Sequence, residues 1–489
     1  QPEWEVSDKV EHIINERTHL FVGRCKETQA LDNFLSENSS GVMLVKAEAG
    51  FGKTTLLANW LKSRQKNNCF IAYHLFSQRN DKTRSAKSAY RNLLRQLYDY
   101  YEIYHKQLPS EIDELRAALY NILKERGARE DKILVILIDA LDELEDIDIP
   151  FSLPFPTPLP NNVFVIGSAR ASEAEEPKYL ENWIEQSHNL HLKRLPKFAL
   201  TDWLKRTGEG ELAAFADDNN FVTQLDEITQ GFPLYISYLT DELSYAAKQE
   251  KDVHSILAET PQGFEKYVKQ QLKRLDEIEL PDERWQFFAL LTVAKGVLEK
   301  SDVKAITKMC DRQLRRLHQC WQVTRWMKIT EGKYYAFAHP LLGTMFAKEL
   351  GDDAEDALQK LIDYCSGWHE HQSSYALRHY PEHLRDEEQW DDLYALARNR
   401  GFVDAQSEQL LNEPDLPLKT MQIALSCAAE EDNAALIAEF MLLHARWIED
   451  KKVKESSLDA LRKGSLKRAL KLVEIYEVER QILWYLLLV

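Results

Sequence analysis

Ala47-Glu48-Ala49-Gly50-Phe51-Gly52-Lys53-Thr54-Thr55 is the stretch that decides the fold. It follows a short apolar run, Val42–Val45, with the length and composition of a buried strand. It opens a segment in which Leu56, Leu57, Trp60 and Leu61 fall on one helical face. Strand, glycine-bearing turn and helix in that order fit the phosphate-binding pattern G-x-x-x-x-G-K-[ST], with Ala47 in place of the first glycine. Consecutive backbone N–H groups wrap a phosphate only where the chain can adopt positive φ, hence Gly50 and Gly52. The helix that follows points its positive end at the anion. The pattern places Lys53 to reach the β- and γ-phosphates of ATP, or the β-phosphate of ADP, and the Thr54 hydroxyl to coordinate Mg²⁺. Phe51 and Thr55 belong to the same candidate contact set.

Further along, Ile133–Ile138 is an uninterrupted aliphatic run, as expected of a strand buried on both faces of a parallel sheet. It ends in Asp139-Ala140-Leu141-Asp142-Glu143. A carboxylate at the end of a buried strand beside a phosphate loop is where Mg²⁺ is held, which singles out Asp139. Asp142 or Glu143 would position or activate the attacking water, and the spacing leaves that choice open. Val163–Ile166 runs into Gly167-Ser168-Ala169-Arg170, where Arg170 can touch a γ-phosphate and report its presence; a surface arginine is the plainer alternative. Cys69–Phe76 and Leu190–Leu192 are further strand candidates, and Tyr90, Leu93, Leu94 and Leu97 mark a helix within 86–104. Strands alternating with helices predict a parallel sheet with helices on both faces. The five prolines between Pro150 and Pro160 exclude helix and central strand there and predict a surface loop.

After about residue 195 strand patterns nearly vanish. Residues 198–275 are expected to be helical. Residues 283–350 read as helices ending in a strand pair, Val323–Ile329 and Tyr334–Ala338, with Glu331-Gly332 as the turn. From 355 onward the pattern is helical throughout.

A chain of 489 residues with 44% hydrophobic and 29% charged residues has the profile of a soluble, multidomain protein. Its net charge of −17 argues against coating nucleic acid or an anionic membrane. Apolar runs fall far short of a membrane span. The six cysteines form no CxxC pair and suit a reducing, cytoplasmic setting. The start at Gln1 and the apolar stretch Ile482–Val489 are expected of a piece of a longer protein.

Three other features invite chemistry. His379-Tyr380-Pro381-Glu382-His383 has the H-x-x-E-H spacing of some zinc peptidases, but Pro381 removes a backbone donor, so His379 is expected to precede the helix and no zinc site is expected. Residues 451–471 carry eight basic residues among spaced leucines, the pattern of a solvated helix face. Arg312, Arg315 and Arg316 lie close together.

In this order the motifs resemble the STAND class of P-loop NTPases, which includes NACHT-type and apoptotic-ATPase-type signalling proteins. Phe21-Val22-Gly23-Arg24 resembles the family's opening motif, which packs near the adenine and makes Val22 and Arg24 candidate contacts. Arg170 matches the sensor arginine. Gly231-Phe232-Pro233-Leu234 is similar to the G-x-P motif, whose proline, here Pro233, covers the base. Phe337-Ala338-His339-Pro340 resembles the winged-helix motif whose histidine, here His339, contacts the β-phosphate of ADP. Tyr375-Ala376-Leu377-Arg378-His379-Tyr380-Pro381 resembles the helical segment that follows in prokaryotic members. The resemblance covers residues 19 to about 410.

It implies a linker or helix at 1–18 from a missing effector domain, then an α/β P-loop NTPase domain at 19–197. A helical domain at 198–280 and a winged helix at 281–352 follow. The C-terminal all-α region at 353–489 would begin a sensor or repeat domain. It also implies a mechanism. ADP holds the domains closed, and a protein trigger, phage-derived in an antiviral setting, opens them. ATP then replaces ADP, and the open form oligomerises to activate the effector, with slow Mg²⁺-dependent hydrolysis as the reset. Bacterial antiviral defence is the implied setting, with no membrane and no nucleic acid as partner. Two competing readings are a transcription regulator that binds DNA, which the net charge opposes, and a non-hydrolysing scaffold, which intact Asp139, Asp142 and Glu143 oppose.

Overall fold

The computed structural model describes residues 20–452, apart from 65–68, 78–82, 104–107, 110, 131, 145–154, 172–176, 178–179, 181–182, 184–186, 208–209, 278–282, 412 and 414. The expected linker at 1–18 and nearly all of the basic stretch 451–471 lie outside the described residues. The described residues form two compact units. One takes in those up to 277 with His339–Leu341; the other takes in 283–338 and 342–452.

The first unit is built on five strands, β1 (Gly41–Ala47), β2 (Cys69–Leu75), β3 (Ile133–Asp139), β4 (Val163–Arg170) and β5 (Ser187–His191). All pair in parallel, in the order β2-β3-β4-β1-β5. Helices α1 (Cys25–Glu37), α2 (Lys53–Arg64), α3 (Ala86–Tyr100) and α4 (Ile112–Arg126) alternate with them. Side chains alternate across the pleat and divide the sheet into two cores. Met43, Val45, Ala47, Val135, Leu137, Phe164 and Ile166 pack with Leu56, Leu57, Trp60 and Leu61 of α2. Leu134, Ile136, Ile138, Val163 and Val165 pack on the opposite face with Leu93, Leu94 and Leu97 of α3 and Leu115 and Leu119 of α4. A one-residue slip of register would turn both cores inside out. The aliphatic run of β3 thus needs no polar side chain until Asp139, where the strand leaves both cores.

Among the described residues this unit also contains α5 (Lys197–Arg206), α6 (Asn219–Thr229), α7 (Pro233–Lys248), α8 (Val253–Glu259) and α9 (Phe264–Asp276). Asp218 and Asp252 cap α6 and α8 by accepting from backbone N–H groups of their first turns.

The second unit contains a small antiparallel sheet in the order β6-β8-β7, with β6 at Leu298–Glu299, β7 at Met327–Thr330 and β8 at Tyr334–Phe337. Helices Glu283–Val293, Lys300–Thr307 and Asp311–Gln319 accompany it. The first expected strand is shorter than its pattern suggested. Val323 lies in a helical turn, Trp321–Thr324, and Trp326 N–H closes back on the Val323 carbonyl at 3.1 Å. The Arg325 guanidinium lies over the rings of Trp321 and Trp326, at 4.5 and 4.8 Å. β pairing begins only at Met327, opposite Phe337. Helices then fill the unit to Lys452.

One of them corrects a second expectation. The helix Ser374–Asp386 runs straight through Pro381, so His379 lies inside it. Pro381 has no N–H for the Leu377 carbonyl four residues back. Gln406 Nε2 supplies the missing donor to that carbonyl at 2.8 Å. The two histidines are engaged separately, His379 Nδ1 with Glu382 at 3.0 Å and His383 Nε2 with the Tyr375 hydroxyl at 2.8 Å. Among the described residues no helix is long and apolar enough to cross a membrane.

Candidate functional site

The strand order positions the site. β4 lies between β1 and β3, so the end of β4 separates the loop after β1 from the acidic end of β3. Ligands of open α/β sheets bind outside the carboxyl ends of such strands. Gly50 and Gly52 hold φ at 84° and 86°, the left-handed side where glycine is at ease. Among the described residues, no atom beyond Gly52 and its two chain neighbours lies within 4 Å of where a Cβ would stand on Gly52, which leaves room for a phosphate beside the backbone. Lys53 begins α2 and folds back over the loop, donating to the Ala47 carbonyl at 2.8 Å and the Glu48 carbonyl at 3.1 Å. Burial lowers the pKa of its ammonium, and the Asp142 and Asp139 carboxylates pull it back up.

Arg24 holds the loop from behind. Its side chain is buried, and its guanidinium donates to the Phe51 carbonyl at 2.9 Å, the Lys193 carbonyl at 2.7 Å and Glu27 at 2.9 Å. The loop is thereby tied to the exit of β5. The adjoining Val22 is buried as well. Hydrogen bonds from a charged donor contribute about 1.5–3 kcal/mol each. Arg24→Ala is therefore expected to lower the stability of this unit and to weaken nucleotide binding about tenfold, with Arg24→Lys recovering only part because an ammonium lacks the fork that spans both carbonyls. Thermal melting with nucleotide titration checks this; unchanged affinity in Arg24→Ala would remove the bracing role.

On the acidic side, period-two alternation carries Ser168 and Arg170 of β4 and Asp139 of β3 onto the face that holds α2. Asp139 is buried. Its Oδ1 accepts from the Ser168 hydroxyl, and that hydroxyl accepts from Ala140 N–H at 3.0 Å. Ala140 sits at φ 57°, ψ 52°, a left-handed turn that drops the chain out of the sheet into the short helical turn Leu141–Glu143. Burial pushes the Asp139 carboxyl up, while Ser168, Thr54 and Lys53 draw it down. Its Oδ2 is buried and completes no hydrogen bond among the described residues. An orphaned anionic oxygen on a carboxyl group that also interacts with the Thr54 hydroxyl fits a hard cation such as Mg²⁺. Asp142 accepts from Arg170 N–H at 2.9 Å, and its other oxygen is 3.5 Å from Arg170 Nε. Glu143 belongs to the same electrostatic neighbourhood around Lys53.

The first unit thus presents a five-stranded parallel sheet with helices on both faces and a glycine-bearing loop between β1 and α2. Residues 25–153 match the family described as Nephrocystin 3, N-terminal, a stretch short of half the chain. Among solved structures, a signal transduction ATPase with numerous domains (STAND) protein with a tetratricopeptide repeat sensor, from Pyrococcus horikoshii, is 15% identical with a TM-score of 0.47. That likeness covers 93% of this chain, but the chain spans only 58% of the Pyrococcus protein. CDC6P from Pyrobaculum aerophilum is 14% identical with a TM-score of 0.32, over 68% of this chain and 94% of that one. The Aeropyrum pernix ORC2 protein, solved in ADPNP-ADP complexes, is 14% identical with a TM-score of 0.34, over 69% and 95%. No curated protein matches the chain.

The Gly231-Phe232-Pro233-Leu234 motif meets the loop directly. A Cβ on Gly50 would stand 2.7 Å from Phe232 Cζ and 3.0 Å from Leu234 Cβ. The Phe51 and Phe232 rings lie 5.4 Å apart, and Phe232 in turn meets Phe264 at 5.8 Å. Pro233 occupies the first turn of α7, where its missing N–H costs nothing. Thr55 lies in the first turn of α2, its carbonyl accepting from Asn59 at 2.8 Å. His339 precedes the helix Pro340–Leu350, and its Nδ1 accepts from Leu341 N–H at 3.2 Å. Sequence reasoning missed Ser168 and the packing of Phe232. The signal for Ser168 was a polar residue two positions after Ile166 in an otherwise apolar strand.

Proposed function

We propose that this chain is an ATP/ADP-switched NTPase of STAND type whose nucleotide state governs self-association. One observation carries the reading: the start of α7 packs on the phosphate loop, with Phe232 and Leu234 over Gly50 and Phe232 against Phe51. A nucleotide that fills the loop must therefore be felt by the helices that follow. In this reading the loop from Gly50 to Thr55 cradles the phosphates, Lys53 neutralises them, and Thr54 and Asp139 hold Mg²⁺. Bound Mg²⁺ would screen phosphate charge and orient the terminal phosphate. Val22 and Pro233 flank the base, His339 reaches a β-phosphate and Arg170 reads the γ-phosphate. Because both Asp142 oxygens face Arg170, water activation falls to Glu143.

The finer reading has 19–197 as the nucleotide domain, 198–280 as a helical domain and 281–352 as a winged helix. The protein is then a NACHT-like cytoplasmic switch in bacterial antiviral defence, with a protein trigger and an effector outside this chain. The order of the motifs supports it. Light scattering of the protein with Mg²⁺ and either ADP or a non-hydrolysable ATP analogue tests the switch. A larger species with the ATP analogue alone is expected; identical mass in both would sink it.

A DNA-binding regulator is the second reading. It is favoured by Arg312, Arg315 and Arg316, all exposed on the helix Asp311–Gln319 while Leu314 and Leu317 face inward. Salt-sensitive duplex binding that disappears when Arg315 and Arg316 are neutralised would support it.

A further inference from the structure

We infer that Ser168 is a positioning residue that turns the Asp139 carboxylate so that Oδ2, and not Oδ1, is the oxygen presented to the cation. The inference rests on the nucleotide reading above and adds a residue to it. The direction of the hydrogen bonds follows from elementary chemistry. Ala140 N–H can only donate, so the Ser168 oxygen is the acceptor at 3.0 Å. The single hydroxyl proton of Ser168 is then directed at Asp139 Oδ1. An acceptor there is a carboxylate oxygen, and its twin, Oδ2, is left buried without a completed hydrogen bond among the described residues. Without Ser168, rotation about the bond to the carboxyl group would exchange the two oxygens, and Ala140 N–H would compete for one of them.

The placement is a property of the fold. Ser168 is fully buried, stands opposite Val45 in the register of β1 and β4, and neighbours β3, where Ile138 stands opposite Gly167. Gly167 admits no side chain, since a Cβ there would stand 2.6 Å from Trp183 Cζ3. β4 is therefore fixed in height against its neighbours, and the Ser168 hydroxyl with it. The left-handed turn at Ala140 supplies the N–H that completes the relay.

The test is equilibrium binding of a fluorescent ADP analogue to wild type, Ser168→Ala and Ser168→Thr, first with EDTA and then across a Mg²⁺ titration. Melting curves of each variant verify that it is folded. Ser168→Ala is expected to bind the analogue with EDTA as wild type does, yet to need at least about tenfold more Mg²⁺ for half-maximal tightening. Ser168→Thr keeps the hydroxyl and is expected to stay within about threefold of wild type. A wild-type Mg²⁺ midpoint in Ser168→Ala overturns the assignment while leaving the nucleotide reading intact, as does an equal shift in a Ser168→Thr variant that melts as wild type does, since the hydroxyl would then be present without effect. Wild-type protein that binds no analogue under either condition overturns the nucleotide reading itself, and this inference with it.

Discussion

Lys53→Ala is expected to weaken binding of both ATP and ADP by at least about 100-fold, a loss of about 2.7 kcal/mol. The charges around the loop explain the size. Asp139, Asp142 and Glu143 all act on Lys53, and Arg170, which also acts on it, is half-exposed at the rim and bound to Asp142. A polyphosphate entering without Lys53 meets carboxylates that its own charge repels. Charge-assisted bonds to phosphate are about twice as strong as neutral ones, and the partly buried position limits screening by water. The fold should be spared. Ala47 keeps a donor in Ala171 N–H at 3.3 Å, and Glu48 is exposed, so water replaces the ammonium there. Burial already disfavours the charged amine, so its removal costs the nucleotide-free protein little. Calorimetric titration beside a melting curve checks this. Affinity within threefold of wild type would refute the phosphate contact and, with it, the reading of the loop.

Much of this site was legible because its logic is local. The run Ile133–Ile138 announces a strand buried on both faces and needs no partner to be recognised, and the Gly50–Thr54 spacing carries its own conformational demand. What escaped the sequence is what depends on strand order. Nothing in the spacing of Asp139 and Ser168 says that β4 inserts between β1 and β3, and only that insertion brings the hydroxyl to the carboxylate. The same holds for Phe232, whose ring reaches Gly50 because two backbones approach closely. Pro381 failed as a helix boundary because Gln406, in a different helix, satisfies the carbonyl that the proline leaves open. Val323 failed as a strand because a tight turn around Trp321 and Trp326 uses its carbonyl first. The resemblance offers Arg24 as a nucleotide contact; within the fold its guanidinium donates to two backbone carbonyls and Glu27.

Asp139→Asn should make the nucleotide-free protein more stable while abolishing the Mg²⁺-dependent tightening of nucleotide binding. A buried carboxylate with one oxygen lacking a completed bond is held against its own desolvation, and burial is the largest influence on its pKa. Asparagine keeps the oxygen that Ser168 addresses and puts a neutral amide nitrogen where the orphan oxygen stood. The gain at neutral pH should be about 1–2 kcal/mol, or about 2–6 °C in Tm. Its sign with pH follows from linkage. The folded-state pKa of Asp139 is raised above its ordinary value. The wild-type group therefore carries no penalty below the ordinary carboxylate range and acquires one as pH rises through the folded pKa. The advantage of the variant should thus be large at pH 7 and vanish near pH 4. Melting curves at both pH values, with and without nucleotide and Mg²⁺, decide the matter. If Asp139→Asn melts below wild type at pH 7, or shows the same difference at both pH values, then the carboxylate is a structural anchor rather than a strained, cation-seeking group. The opposite result would mean that this corner of the protein gives up stability in order to hold an oxygen ready for the metal.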